Sequence, residues 1–566
     1  MRPLTSLGAL SAIASVAAAG APSAQQWAER SIYQVMTDRF ARSANSADEP
    51  CDPYKYCGGS WAGIIDKLDY VQDLGFTAVQ ISPVVENIPD NTKNGEAYHG
   101  YWPQNLYSLN ENFGTANDLR KLSKELHKRG MYLMVDVVIN DMAQVVNGSS
   151  THGEPDIDWS RLVPFNDEKY YHSFCSITDW NDPDNSKNCW FSVDTVALPD
   201  LKTEDERVVS MIQEWAKGLV GNYSIDGLRI DATKHMDDEY LTSFGEAAGV
   251  FTMGEVYTEN TDAVCRYQEF VSGLLNYPLY PPTIQAFTAG NMPGLAERVR
   301  TIHSQCKDFT RLATFVENHD TPRFASLVND TTLAKNALAF NILSDGIPIV
   351  YQGQEQHMRG EFAPFNRAPL WNTNYDTQNP LYNTTATLNT LRNHAIRLDR
   401  DYVPTHSKEL YVDGSTYATR KGAEGSQVQV VSVFSNQGST GGSYELVVPG
   451  AFAPGTEAVE VLTCARVTAD TAGRIVVEMD AGEPKVFFPL KKMPGSGLCG
   501  FRKRKTALCA TGKGNTTTTT TTTPPGGDNH TTEETGYEQA SSGSEGSVSV
   551  AMVLLGVFAG VVNWCL

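Results

Sequence analysis

The sequence predicts an α/β fold, a (β/α)₈ TIM barrel with a small domain inserted after its third strand and a C-terminal antiparallel β-sandwich domain. Amphipathic helices alternate with short apolar runs from about residue 32 to about residue 400, which is the pattern of βα units around a parallel sheet. A long polar stretch interrupts this alternation once. After about residue 401 it gives way to runs in which apolar and polar residues alternate, as in antiparallel strands.

The first helix and strand pairs show the barrel pattern. Apolar residues at helical spacing predict a helix over residues 66–74, which ends at Gly75 before an apolar strand over 76–84. The same order returns in a helix over 116–129, a glycine, and a strand that begins at Leu133. Further strands are predicted over residues 227–231, 251–255, 313–317 and 347–351. This many units over this length favours a closed barrel over an open sheet.

The polar interruption is rich in Asn, Asp, Ser and Trp and is too long for a simple loop. We therefore predict an inserted domain over residues 141–201 and a barrel built from residues 25–140 and 202–400. Alternating runs indicate a β-domain over residues 401–502. Residues 503–547 contain a threonine run followed by Pro, Gly and acidic residues, which predicts a disordered stalk.

Both ends of the chain carry processing signals. Residues 1–24 have a basic residue, an apolar run and then small residues, which is typical of a secretory signal peptide. Residues 548–566 are almost wholly apolar, and no Lys or Arg follows them as an anchor for a membrane span. Small polar residues precede this tail, so the pattern favours attachment of a glycosylphosphatidylinositol (GPI) lipid near residues 541–543. We expect export to the cell surface and anchoring to the plasma membrane or cell wall.

Ten cysteines in an exported chain predict disulfides. Two pairs would close short loops and two would close longer ones: Cys51 with Cys57, Cys175 with Cys189, Cys265 with Cys306, and Cys464 with Cys499. Cys509 is left over, and Cys565 lies in the apolar tail.

The charge balance bears on the partners of this chain. Its formal net charge is −21, and nucleic acid is excluded as an expected partner because binding it needs a basic face. The hydrophobic content of 41% is that of a folded protein with a large core. We expect a monomer.

Three predicted barrel strands end in a carboxylate, namely Asp231, Glu255 and Asp320. The active site of a barrel lies at the C-terminal ends of its strands. Arg229 and Asp231 share a strand face, and the guanidinium should lower the pKa of Asp231 and keep it ionised, as a nucleophile requires. A single aspartate could simply cap a helix, but three such strand ends with basic residues between them indicate one site.

Aromatic residues follow in the segment AYHGYWPQ, which includes Tyr98 and Trp102. Sugar rings stack on such side chains, although the same rings could be core residues. Convergent carboxylates at a barrel mouth with aromatic side chains nearby indicate cleavage of a glycosidic bond.

Seven blocks carry a resemblance to the α-amylase family, glycoside hydrolase family 13, and in particular to its secreted fungal members. They lie between Ser31 and Cys499. The blocks are SIYQVMTDRF, GIIDKLDY, YSLNENFGTA, GMYLMVDVV, SIDGLRID, TFVENHD and DGIPIVYQGQEQ. The resemblance implies an endo-acting, retaining enzyme whose substrate is starch, maltooligosaccharide or cell-wall α-glucan.

The same resemblance implies residue roles. Asp231 would be the nucleophile, Glu255 the general acid and base, and Asp320 the group that stabilises the transition state. Other positions that match sugar-contacting or site-shaping positions are Tyr98, Arg229, Lys234, His235, His319 and Arg367.

The resemblance further implies a structural Ca²⁺ between the barrel and the inserted domain. Asn140 and Asp200 would bind it through side-chain oxygens, and Lys187 and His235 through backbone carbonyls. Ligation by oxygen alone suits a hard cation.

Two positions depart from the family pattern. Asp141 stands where the family has a histidine that contacts sugar. We expect its carboxylate to bind substrate by accepting from a sugar hydroxyl, and to add negative charge beside Glu255 and Asp231. Ala363 stands where relatives carry an acid paired with the arginine at Arg367. The resemblance extends to GPI-anchored fungal relatives in which the motif around this histidine is also altered, and it implies 4-α-glucanotransferase activity. We therefore expect transfer of glucan chains to sugar acceptors in addition to hydrolysis. Two alternatives stay open: a catalytically inactive cell-wall glucan-binding protein, and a sucrose- or isomaltose-specific member of the same family.

Overall fold

The computed structural model describes residues 20–43, 50–146, 153–192 and 195–503. Most of the predicted signal peptide, the predicted stalk beyond residue 503, the apolar tail, Cys509 and Cys565 lie outside the described residues.

Eight parallel strands form a closed barrel in which each strand pairs with the next along the chain and the last pairs with the first. In chain order these strands, β1 to β8, are Ile32–Val35, Ala78–Ile81, Tyr132–Val137, Gly227–Ile230, Phe251–Gly254, Gly273–Leu275, Leu312–Thr314 and Ile347–Tyr351. Apolar side chains from alternating strand positions fill the barrel, and Trp27 packs among them. The prediction of a (β/α)₈ barrel is therefore confirmed.

Helices surround the barrel and bury their apolar faces against it. The helices of the barrel region are Ala24–Ala28, Thr37–Phe40, Trp61–Asp66, Leu68–Asp73, Ala116–Lys128, Glu206–Tyr223, Asp238–Ala248, Thr261–Arg266, Tyr280–Thr288, Met292–Gln305, Phe324–Leu327, Thr331–Leu343 and Pro380–Leu398.

Some element boundaries differ from the sequence prediction. The helix expected over 66–74 is the shorter helix Leu68–Asp73, and a further short helix that was not predicted, Trp61–Asp66, precedes it. The Lys67 N–H bonds to the Ile64 carbonyl at the break between the two helices. The strand expected over 313–317 stops at Thr314, where the chain leaves the barrel wall. β6 was not predicted from the sequence, because its three residues are too few to show a period.

Between β3 and the helix Glu206–Tyr223 the chain forms a small unit. Its three-stranded antiparallel sheet contains Gln144–Val145, Phe191–Ser192 and Val196–Leu198, and one helix covers Pro183–Asn188. This unit lies at the C-terminal end of β3, beside the mouth of the barrel.

The C-terminal region is an antiparallel β-sandwich, as predicted. Its strands, β9 to β16, are Lys408–Val412, Thr416–Lys421, Val430–Ser435, Tyr444–Val448, Glu457–Glu460, Arg466–Thr468, Ile475–Met479 and Lys485–Pro489. One sheet has the order β9-β10-β11-β16-β13-β14, and β12 pairs with β15 in the second. A separate apolar core lies between the two sheets.

Four disulfides join the predicted partners: Cys51–Cys57, Cys175–Cys189, Cys265–Cys306 and Cys464–Cys499. None of the helices that the structure describes combines the length and the apolar character that a bilayer crossing requires.

Candidate active site

The three predicted catalytic carboxylates follow three barrel strands at the same rim. Asp231 follows β4, Glu255 follows β5, and Asp320 lies six residues beyond the end of β7. Their side chains are 17%, 11% and 12% exposed, so all three are largely shielded but reachable from solvent. The barrel therefore gathers carboxylates that are far apart in the sequence.

Arg229 on β4 organises this group. Its Nη1 atom lies 2.5 Å from Asp231 Oδ1 and 3.0 Å from Asp136 Oδ1, and its Nη2 atom lies 2.9 Å from Glu255 Oε1. Asp136 is the register partner of Arg229 on the neighbouring strand β3. One buried guanidinium thus holds three carboxylates from three consecutive strand ends.

Asp320 lies on the other side of the group and has its own cations. His319 Nε2 is 2.9 Å from Asp320 Oδ2, and Arg367 Nη2 is 3.2 Å from Asp320 Oδ1. Gln34 Nε2, from β1, lies 3.1 Å from His319 Nδ1 and so fixes the orientation of the imidazole.

A chain of hydrogen bonds links Glu255 to Asp320. The Tyr277 hydroxyl donates to Glu255 Oε1 at 3.0 Å and accepts from the Asn318 amide at 3.2 Å. The Asn318 side-chain carbonyl accepts in turn from the backbone N–H of Asp320 at 2.8 Å. Glu255 and Asp320 are therefore set relative to each other by Tyr277 and Asn318.

The electrostatics correct one expectation from the sequence. Burial raises the pKa of Asp231 well above its usual range, and although Arg229 lowers that pKa, the charges of Glu255 and Asp136 add to the rise. Burial likewise raises the pKa of Asp136, which contacts the same guanidinium. Arg229 therefore offsets the burial of these two aspartates only in part.

Asp320 shows the opposite balance. Burial works to raise its pKa, but the neighbouring His319 imidazole and Arg367 guanidinium outweigh burial and hold the pKa of Asp320 below its usual range. This carboxylate stays ionised and can accept hydrogen bonds from sugar hydroxyls.

The predicted aromatic residues lie in the adjoining wall. Tyr98 is 3% exposed, with the Arg39 guanidinium 3.8 Å from its ring centre. Trp102 is 4% exposed and packs in a small apolar cluster with residues of the inserted unit, with its ring against His99. Tyr101 donates to Asp136 Oδ2 at 2.8 Å and stacks on His319, so it is built into the site more directly than Trp102.

The remaining predicted residues lie beside the inserted unit. Lys234 Nζ is 3.4 Å from the Trp180 carbonyl. Burial lowers the pKa of Lys234, and the nearby charge of Glu255 partly offsets this effect. The buried His235 imidazole lies 2.8 Å from the Ser186 carbonyl, and burial lowers its pKa to about 3. Lys187 directs its ammonium to Asp238 at 3.1 Å, outside the carboxylate group.

Asn140, Asp141 and Asp200 form a separate buried cluster at the end of β3, with exposures of 0%, 3% and 1%. The backbones of Asp141 and Asp200 pair in an isolated antiparallel bridge. The Asn140 amide lies next to both carboxyl groups. Within the described part of the chain, both side-chain polar atoms of Asn140 and the Oδ1 atoms of both aspartates have no hydrogen-bond partner of good geometry.

This cluster meets the donor requirements of a hard cation, since buried unpaired oxygens and two carboxylates are the groups such an ion prefers. Among the described residues, no group of three or more His, Cys, Asp or Glu side chains is arranged as a metal site. The cluster itself has two such residues together with the amide of Asn140.

Several site residues were not assigned roles from the sequence. Tyr277 follows the unidentified strand β6, and Gln34 lies on β1. Asn318 stands in the block TFVENHD between the charged residue Glu317 and His319. Neutral donors such as these carry no charge pattern along the sequence, and only their three-dimensional contacts identify them.

Comparisons with known proteins agree with this geometry. The family model described as "Alpha amylase, catalytic domain" matches residues 34–402, and "Alpha-amylase, domain C" matches residues 409–507. The chain is similar to "Alpha-amylase 2" of Schwanniomyces occidentalis, with 46% identity over 487 residues that cover 85% of this chain and 94% of that protein. It is also similar to the "Alpha-amylase" of Saccharomycopsis fibuligera, with 45% identity, 83% of this chain and 93% of that protein.

A solved structure gives the same result in three dimensions. The α-amylase from Malbranchea cinnamomea superposes with a TM-score of 0.80 at 46% sequence identity, covering 84% of this chain and all of that chain. The similarity spans the barrel and the C-terminal β-domain together.

Proposed function

The chain belongs to the α-amylase family of glycoside hydrolases, and from this premise we propose that it is an endo-acting, retaining enzyme that cleaves α-1,4-glucosidic bonds and transfers the glucan to sugar acceptors as well as to water. The retaining mechanism is supported by one observation, namely that Asp231 and Glu255 both contact the guanidinium of Arg229. A contact of this kind holds the two carboxyl groups close together. It favours the separation of about 5 Å found in retaining enzymes over the wider gap in which an inverting enzyme activates water.

Asp231 is placed to attack the anomeric carbon. Its Oδ1 atom is held by Arg229, and within the described part of the chain no hydrogen bond reaches Oδ2. Oδ2 is therefore available to form the covalent bond to sugar as the glucosidic bond breaks.

Glu255 is placed to move the proton. Its Oε1 atom accepts from both Arg229 and Tyr277, whereas among the described residues Oε2 accepts only from the backbone N–H of Ala232, at 3.2 Å. The transferable proton therefore belongs on Oε2, from which it passes to the leaving oxygen. The ionised Glu255 then takes a proton from the acceptor, which is water in hydrolysis and a sugar hydroxyl in transfer.

The proposal of transfer activity rests on the two departures from the family pattern. Asp141 lies with Asn140 and Asp200 and is not among the residues around Arg229, so a sugar contact at this position is altered. Ala363 offers no acid beside Arg367. Weaker positioning of the donor next to the scissile bond changes the partition between water and sugar acceptors.

A time course of products from maltopentaose tests this proposal. Products longer than five glucose units, appearing beside shorter ones, are expected from a transferring enzyme. Formation of glucose and short sugars alone would contradict the transfer activity and indicate an enzyme that only hydrolyses. Asp231→Asn serves as the control and should form neither class of product, because it lacks the nucleophile.

We also propose that the Asn140–Asp200 cluster holds a structural Ca²⁺, with the backbone carbonyls of Lys187 and His235 as further ligands. When bound, the ion neutralises buried carboxylates and ties the end of β3 to the inserted unit. The unpaired buried oxygens of Asn140 and Asp200 support this assignment.

The predicted GPI anchor and cell-surface location remain proposals, because their signals lie outside the described residues. Release of the protein from intact cells by a phosphoinositide-specific phospholipase is the expected result. Retention after complete digestion would contradict the anchor.

A further inference from the structure

The position of Asp141 in the structure does not match the sugar-binding role that the family motif implies for it. In the family motif this position contacts sugar, but the described surroundings of the Asp141 carboxyl group are Asn140, Asp200 and Tyr171. No described hydrogen bond or ion pair joins it to Arg229, Asp231 or Glu255. The side chain therefore needs another explanation.

The immediate neighbours do not satisfy this carboxyl group. The Tyr171 hydroxyl donates to the Phe165 carbonyl at 2.8 Å and is not available to Asp141. His172 Nδ1 lies 2.7 Å from Asp200 Oδ2, and its Nε2 lies 3.1 Å from Glu204. The His172 imidazole is thus engaged with Asp200 and Glu204, and Asp141 Oδ1 stays without a partner among the described residues.

Leaving such groups unpaired in the interior is costly. Burying a carboxylate without a compensating charge or hydrogen bond is strongly unfavourable, and two neighbouring carboxylates add repulsion. Asn140 adds a buried amide whose oxygen and nitrogen both lack partners of good geometry. The unpaired Oδ1 atoms of Asp141, Asp200 and Asn140 are a set of hard oxygen donors that one cation would satisfy together.

We propose that Asp141 is a ligand of the cation held by Asn140 and Asp200, so that this chain binds a divalent oxygen-seeking ion such as Ca²⁺ with two carboxylates. The inference rests on the calcium site proposed above and adds to it a residue and a charge. Because ligand charge is a main determinant of Ca²⁺ affinity, the second carboxylate makes binding tighter than it is with an uncharged residue at this position.

The assignment has a consequence for the sugar site. A side chain that binds the cation is not available to a sugar, so the same residue strengthens the link between β3 and the inserted unit and removes a substrate contact. Changes at position 141 should therefore alter cation affinity and substrate handling in opposite directions.

Calorimetric titration of the chelator-treated full-length protein with CaCl₂ tests the proposal, together with melting temperatures in EGTA and in excess Ca²⁺. Asp141→Asn keeps the size of the side chain and removes its charge, and Asp141→His introduces the residue of the family motif. Asp200→Asn tests the site itself. Asp226→Asn is the matched control, since Asp226 is a largely buried aspartate of the barrel that contacts His127 and lies outside this cluster.

Both Asp141 variants are expected to raise the Kd for Ca²⁺ by about tenfold or more and to show a smaller rise in melting temperature on Ca²⁺ addition, whereas Asp226→Asn keeps the wild-type Kd. Wild-type Kd values in both Asp141 variants, with a weakened Asp200→Asn, would overturn the role of Asp141 and leave the calcium site standing. No Ca²⁺ binding by the wild-type protein would overturn both. If Asp141→Asn fails to fold, Asp141→His decides by the same readouts.

Discussion

At the scale of single residues, Arg229 organises the candidate active site, because it contacts Asp136, Asp231 and Glu255 at once. The sequence predicted Arg229 and the catalytic carboxylates because charged residues at strand ends form a recognisable pattern. It did not predict that burial outweighs Arg229 in setting the pKa of Asp231, since desolvation depends on neighbours from several strands.

The first prediction concerns the geometry of the guanidinium. Arg229→Lys keeps the positive charge, but a single ammonium cannot replace two nitrogen atoms that hold separate carboxylates. We expect kcat on a maltooligosaccharide to fall by about 10²–10³-fold while KM changes little, because the lost contacts position the reacting groups. Steady-state kinetics on protein with a wild-type circular dichroism spectrum would measure this.

The matched control is Arg392→Lys. Arg392 is also buried and bonds to the carbonyls of Ala28, Glu29 and Gly346, away from the carboxylates. It should cost stability and leave kcat of the folded protein near that of the wild type. Equal losses of kcat in both variants would contradict the role assigned to Arg229.

At the scale of elements, the sequence predicted the units whose apolar period is clear. The helix Ala116–Lys128 was predicted to within one residue because its apolar spacing is clear and a glycine follows it, and in the structure Thr115 caps its start. β6 was missed because three residues are too few to show a period. Residues that the site needs, such as Tyr277, follow this short strand, so the weakest sequence signal coincides with part of the active site.

The second prediction concerns the start of β8. Gly346 has φ of +101°, and a Cβ atom there would overlap the Leu312 carbonyl on β7. Gly346→Ala should lower the free energy of unfolding by about 2–4 kcal/mol, because alanine is strained at this positive φ and its Cβ would displace the neighbouring strand. Urea unfolding followed by circular dichroism measures the change.

Gly218→Ala is the control for this experiment. Gly218 lies in the helix Glu206–Tyr223, where an added Cβ meets nothing within 4 Å. Alanine there should raise the free energy of unfolding by about 0.5–1 kcal/mol. An unchanged free energy of unfolding in Gly346→Ala would contradict this prediction and show that β7 and β8 can move apart to accommodate the added Cβ.

At the scale of the whole molecule, the barrel and the β-sandwich are joined through buried charges. Asp345, just before β8, lies 2.7 Å from His303 Nε2 and contacts the ammonium of Lys421 on β10. Lys421 also donates to the Val403 carbonyl at 3.0 Å. The sequence predicted a separate C-terminal β-domain from a change of period, but it could not predict this junction, because residues 303, 345 and 421 belong to separate patterns.

The third prediction follows from this junction. Burial works to raise the pKa of Asp345, but Lys421 and His303 outweigh it and hold that pKa below its usual range. A carboxyl group with a lower pKa in the folded than in the unfolded state stabilises the fold above its unfolded pKa of about 3.9, and this stabilisation is lost as the pH falls below that value. Asp345→Asn should therefore lower stability by about 3–5 kcal/mol at pH 6, since it leaves Lys421 buried without its partner.

Melting curves of wild type and Asp345→Asn between pH 6 and pH 2.5 measure the effect. The gap between them should narrow below about pH 4, because Asp345 then takes up a proton in the unfolded wild type while the folded carboxylate stays ionised. Glu409→Gln is the control, because Glu409 pairs with Arg300 across the same two domains but on the exposed surface. An exposed pair is worth at most about 1 kcal/mol, so this variant should melt close to the wild type. A gap for Asp345→Asn that stays constant with pH would mean that the junction depends on the shape of this side chain and not on its charge.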